Sequence, residues 1–134
     1  MAPPTPLSIA TGSVNRLVKE EAYYHKDQAA QEKRIEKLKQ EIQTADPSTL
    51  DSNAEYMLKQ EQTALEETKA VFGPLRERIA EAVEKLEEQI AIAESDGTAS
   101  EEELKKAKEA LESGQKVEAV EPAQEGEKGD KEEI

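Results

Sequence analysis

The stretch Thr11–Ile42, TGSVNRLVKEEAYYHKDQAAQEKRIEKLKQEI, decides the fold class. It holds no proline, and its single glycine is Gly12. Its apolar residues, Val14, Leu17, Val18, Tyr24, Ile35, Leu38 and Ile42, recur at helical spacing. That spacing places them on one side of an α-helix, where a turn takes about 3.6 residues. Thr5-Pro6 supplies a start. Thr5 can cap, and Pro6 suits the first helical position, where its missing N–H costs nothing. Leu7 stands seven residues before Val14, in the same phase. The pattern predicts a first helix over about 6–43, behind a disordered proline-rich lead over 1–5. At ~1.5 Å per residue such a helix is roughly 55 Å long.

Thr44-Ala45-Asp46-Pro47 breaks this helix. Asp46 can cap and Pro47 can take the first position, so a second helix is expected over about 47–94. Its stripe runs Ala54, Leu58, Glu61, Leu65, Thr68, Phe72, Leu75, Ile79, Ala82 and Leu86. Gly73-Pro74 lies inside it. Proline removes one backbone bond and its ring crowds the carbonyl of Ala70. Yet the stripe keeps phase across the pair, whereas a chain reversal would free the two halves from a common phase. The reading is one helix kinked at Gly73-Pro74. Ser95-Asp96-Gly97-Thr98 is the second break, with Gly97 suited to a helix C-terminus. Ser100 and Glu103 form a capping box for a third helix over about 100–119. From 121 to 134 the composition reads as a disordered acidic tail.

Short breaks make consecutive helices antiparallel neighbours. The expected fold is all-α: an elongated antiparallel three-helix bundle, up-down-up, over 6–120. Residue n of the first helix should lie near ~92−n of the second. That register sets Leu17 beside Leu75, Ile35 beside Met57 and Ile42 beside Leu50. Leu104 would stand level with Ile90 and Leu111 with Val83, and the third helix would end level with Pro74. The bundle would be three-stranded toward the N-terminus and two-stranded toward the 44–47 turn.

Composition narrows the function classes. Of 134 residues, 37% are charged and 35% hydrophobic, which suits a narrow helical seam better than a β-sandwich core. With no cysteine there is neither a disulfide nor a thiolate zinc site, as fits a reducing compartment. MAPPTPLSIA lacks the positive and apolar regions of a secretory signal. No apolar run approaches ~18 residues, so no membrane span is expected. Net charge is −13, unevenly spread: Thr11–Ile42 carries 7 basic and 6 acidic residues, and the rest is acidic. Nucleic acid and anionic membrane are excluded as partners, because phosphate binding needs clustered Lys and Arg.

No catalytic constellation emerges. His25 with Glu21 one turn earlier would be half a metal site, but position 22 is alanine and there is no second histidine. Ile92–Glu103 offers calcium-like offsets at Glu94, Asp96, Gly97 and Glu103, but Ile92 has no oxygen for the first ligand position. Glu66-Glu67, Glu87-Glu88 and Glu101-Glu102-Glu103 are solvated helix faces rather than catalytic pairs, which need a desolvated pocket. Glu21, Gln28 and Gln31 fall on or beside the seam, as a register-setting polar layer or a groove that a partner completes. These readings give no enzyme and no cofactor.

One resemblance goes further. Thr11-Gly12, Val14, Arg16-Leu17-Val18-Lys19-Glu20, Tyr24, Lys26, Gln31-Glu32 and Ile35-Glu36-Lys37 resemble the tubulin-binding cofactor A family, gap-free over about 27 residues. Pro74 also matches a family feature, while the residues just after it match less well and the tail falls outside. The resemblance implies a monomeric three-helix bundle in the cytoplasm, associated with the cytoskeleton and using no nucleotide or metal. It would bind and stabilise β-tubulin ahead of α/β-tubulin assembly, alongside other tubulin-folding cofactors. Tubulin is acidic, so the basic first helix is the expected recognition face, with Arg16, Lys19, Glu20, Tyr23, Lys26, Lys33 and Lys37 joined by Phe72 near the kink. The alternative is a tethering coiled coil that homodimerises through the same seam.

Overall fold

The computed structural model describes residues 3–49 and 52–119. Residues 1–2 of the expected lead, Leu50 of the expected register and the whole expected tail at 121–134 lie outside the described residues. Within them are three helices and no strand: α1 (Pro6–Thr44), α2 (Ser52–Asp96) and α3 (Glu101–Ala119). The chain divides into two compact units, Met1–Glu21 with Gly73–Ile134, and Ala22–Phe72. The first draws on all three helices and the second on α1 and α2.

α1 opens at Pro6. Thr5 Oγ1 accepts the Ser8 N–H at 3.0 Å, satisfying one donor of the first turn, and donates to Glu103 Oε1 at 2.8 Å. The start of α2 differs from expectation. Asp46-Pro47 does not open the helix; α2 begins at Ser52. Asp46 is spent on a turn: its carbonyl accepts the Thr49 N–H at 2.9 Å and its Oδ1 accepts the Ser48 N–H at 3.1 Å. Pro47 then occupies the second turn position, which its fixed φ suits. The bonds from Ser48, that from its N–H first, hold the Asp46 carboxyl below its ordinary value of 3.8.

α2 continues through Pro74 as a single helix of 45 residues. It ends at Asp96, two residues past the expected 94: Gly97 takes φ 65°, and its N–H bonds to the Ala93 carbonyl at 3.0 Å. That left-handed conformation is nearly free only for glycine. Ser100 Oγ accepts the Glu103 N–H at 3.1 Å, one half of the expected capping box, while the Glu103 carboxylate accepts from Thr5 Oγ1.

In the first unit the core is Leu7, Ala10, Val14 and Leu17 from α1, Leu75, Ile79, Val83, Leu86, Ile90 and Ala93 from α2, and Ala107 and Ala110 from α3. Leu75, Ile79, Leu86 and Val14 are fully buried, each contributing about 1.5–3 kcal/mol of transfer free energy. α3 comes close through Gly114, where a Cβ would stand 2.5 Å from Val83 Cγ2 and 3.0 Å from Val14 Cγ1. Along α1 the contacts Thr5 to Glu103 and Val14 to Gly114 ascend together on α3. On α2 they descend, from Val83 beside Gly114 to Arg76 beside Glu21. The second unit is thinner. It buries Gln31, Ile35, Thr68 and Phe72, leaving Leu38, Ile42, Leu58 and Leu65 half-buried. Two helices alone can shield only one seam.

Register shifts with the late start of α2. Glu21 pairs with Arg76 and Arg34 with Glu61, so partner numbers add to 97 and 95 where 92 was expected. α2 begins five residues later than expected, and the register moves in the same direction. Gly114, rather than Leu111, packs on Val83.

Candidate recognition face

The α1 positions lie on a seven-residue phase. Lys19, Lys26 and Lys33 repeat at seven, as do Arg16, Tyr23, Ala30 and Lys37. Seven residues turn a helix by two turns less about 20°, so each series follows one line along α1, the two lines about 60° apart. In the first unit Arg16 and Lys19 lie on the side of α1 opposite buried Val14 and Leu17; in the second, Lys26, Lys33 and Lys37 lie opposite buried Gln31 and Ile35. Sequence reading of apolar period alone misses this; the same count applied to Lys and Arg finds it.

Each unit presents its own part. In the first, Arg16 and Lys19 are exposed and Glu20 is half-buried. In the second, Lys26, Lys33 and Lys37 are exposed and Tyr23 is 63% exposed. Among the described residues none of these five cations forms an ion pair. Arg34 is different: its Nε is 3.3 Å from Glu61 Oε2, so its charge is partly compensated. Their uncompensated charge projects into solvent on a chain of net charge −13.

Phe72 does not join that face. It is 4% exposed, with its ring stacked on His25 at 4.5 Å and 28° and edge-on to Tyr24 at 6.5 Å. Tyr23 meets Tyr24 edge-on at 5.5 Å. His25, the single histidine, thus serves packing. Among the described residues no three His, Cys, Asp or Glu side chains group as a metal would require, and no helix is long and apolar enough to cross a membrane.

The polar seam residues resolve separately. Glu21 is buried in the first unit beside Arg76, whose Nε stands 3.6 Å from Glu21 Oε2. Gln31 is buried in the second unit, 7% exposed. Arg76 was not foreseen in the core, because arginine reads as a surface residue unless its partner is known.

Comparison with known proteins gives these features a context. The family described as tubulin binding cofactor A matches residues 2–111. Tubulin-specific chaperone A of Saccharomyces cerevisiae is 36% identical over 85 residues, covering 63% of this chain and 72% of that protein. No solved structure matches the chain. With most of its length matched, and with a curated relative at that identity, the chain belongs to the tubulin binding cofactor A family.

Proposed function

We propose that the chain is a tubulin-folding chaperone that holds β-tubulin ahead of its assembly with α-tubulin, acting as a cytoplasmic monomer. The observation that carries this reading is the uncompensated cationic stripe of α1 on an acidic protein whose family is defined by tubulin binding. A chaperone of this kind needs no chemistry, only a surface that masks a partner's exposed interface. Arg16, Lys19, Lys26, Lys33 and Lys37, with Tyr23 as an exposed aromatic and Glu20 at the edge, supply that surface. Charges of this type steer encounter and fix register against an acidic partner more than they add affinity. The scaffold in this proposal is the up-down-up bundle, with α2 kinked at Gly73-Pro74 and Phe72 packing beneath the contact face.

The coiled-coil alternative would use the same seam between two copies. The first unit already buries Val14, Leu17, Leu75, Ile79 and Leu86 within one chain, so that dimer would have to open it. Solution mass separates the two: the proposal expects 14.8 kDa. The test of function is capture from purified tubulin with the subunits resolved. Retention of β-tubulin over α-tubulin supports the reading, and equal or absent retention overturns it.

A further inference from the structure

Thr5-Pro6 is the one place in the sequence where a serine or threonine precedes proline. Thr5 is exposed and, with Pro3 and Pro4, stands outside α1, which opens at Pro6. A residue before proline favours extended backbone, the form in which kinase clefts take their substrates. Pro6 also has no N–H, so a cleft that leaves that position unpaired selects Thr5 over the other hydroxyls of the chain.

The same hydroxyl joins two helices. Thr5 Oγ1 donates to Glu103 Oε1 of α3 at 2.8 Å while accepting the Ser8 N–H of α1 at 3.0 Å. In the first unit Thr5 lines a cavity with the acidic side chains of Asp96 and Glu103, and among the described residues neither lysine nor arginine lines it. Glu101 and Glu102 stand in the same first turn of α3.

We propose that Thr5 is a phosphorylation site for a proline-directed protein kinase, and that the phosphate unties α3 from the start of α1. The kinase transfers the γ-phosphoryl group of ATP. The Oγ1–P bond forms, the bond from that phosphorus to the β–γ bridging oxygen breaks, ADP leaves with the electron pair, and the hydroxyl proton passes to solvent. Two things change at Thr5. Its donor is gone, so the bond to Glu103 is lost. In its place stands a group of charge about −1.5 to −2, facing a carboxylate. On the α1 side the sign is reversed: a phosphate at a helix N-terminus accepts the Ser8 N–H and suits the helix dipole. The modification therefore keeps α1 and loosens α3, the helix whose Gly114 lies against Val14 and Val83. None of this depends on the function proposed above.

Treating the full chain with a purified proline-directed kinase and ATP tests both parts, with the site mapped by fragment mass and amide hydrogen exchange followed along the chain. The expected result is a single phosphate, at Thr5, and exchange across Leu104–Ala110 about three- to tenfold faster, with the amides of α1 from Ile9 onward unchanged. Glu103→Gln supplies the control. Its carboxamide offers an acceptor to the free hydroxyl and a donor to the phosphate, so its α3 should exchange alike before and after phosphorylation. Absence of phosphate at Thr5 overturns the site. Exchange in α3 that phosphate leaves unchanged, or raises as much in Glu103→Gln as in the parent, overturns the switch.

Discussion

Arg76 Nε lies 3.6 Å from Glu21 Oε2, and both side chains are buried, at 9% and 8% exposure. Burying two charges is costly, and the pair's mutual attraction offsets that cost only while both members remain. Arg76→Met alone should therefore destabilise the chain by about 3 kcal/mol, by stranding Glu21 in the seam. The double change Glu21→Leu with Arg76→Met should recover most of that loss. Urea denaturation midpoints at fixed slope check both, and a double variant no better than the single one would contradict the account.

Gly114 and Gly12 should respond oppositely to alanine. At Gly12 a Cβ meets nothing within 4 Å, so Gly12→Ala should stabilise by about 0.5–1 kcal/mol through helix propensity. At Gly114 the same Cβ would stand 2.5 Å from Val83 Cγ2. Valine is stiff at χ1 and cannot swing that methyl away cheaply. Gly114→Ala should therefore cost about 1–3 kcal/mol despite its better propensity. Adding Val83→Ala relieves the clash; the pair should unfold at a midpoint above Gly114→Ala alone.

Phe72 packs in the second unit, where few side chains are buried. Its loss should be felt accordingly: Phe72→Ala should cost about 3–4 kcal/mol. Hydrogen exchange should rise most among the amides of Ala22–Phe72. Uniform loss of protection along the chain would contradict the division into units.

The Asp46 carboxyl should titrate below 3.8, because its ionised form accepts the Ser48 N–H. The folded value is depressed, so its contribution to the turn is present above the ordinary carboxylate range and lost as pH falls through the lowered value. Carbon-detected NMR titration of Asp46 gives the midpoint. Asp46→Ala should remove the pH dependence of the Ser48 amide shift while α1 keeps its helicity.

Much of this was legible in the sequence, and the exceptions have physical causes. Thr5-Pro6 and Gly97 were readable because few residue types meet the local requirement, a cap before a first-turn proline or a positive φ. Asp46-Pro47 was not, since Asp-Pro opens a turn and a helix with the same chemistry. That ambiguity moved the start of α2 by five residues and carried the register with it. Lys19, Lys26 and Lys33 were readable as candidates from charge alone, and α1 adds that they share a stripe. Phe72 sat on the apolar stripe of α2 and was joined to the recognition face for its nearness to Gly73-Pro74; the helix continues through that pair, and the ring is buried.

The central claim is that the stripe on α1 captures β-tubulin. The full-length variant Lys19→Glu, Lys26→Glu and Lys33→Glu tests it most directly, with helicity followed by circular dichroism and capture measured on resolved tubulin subunits. The account predicts unchanged helicity with β-tubulin capture reduced by about tenfold or more. Capture equal to that of the parent chain, with helicity intact, would contradict it.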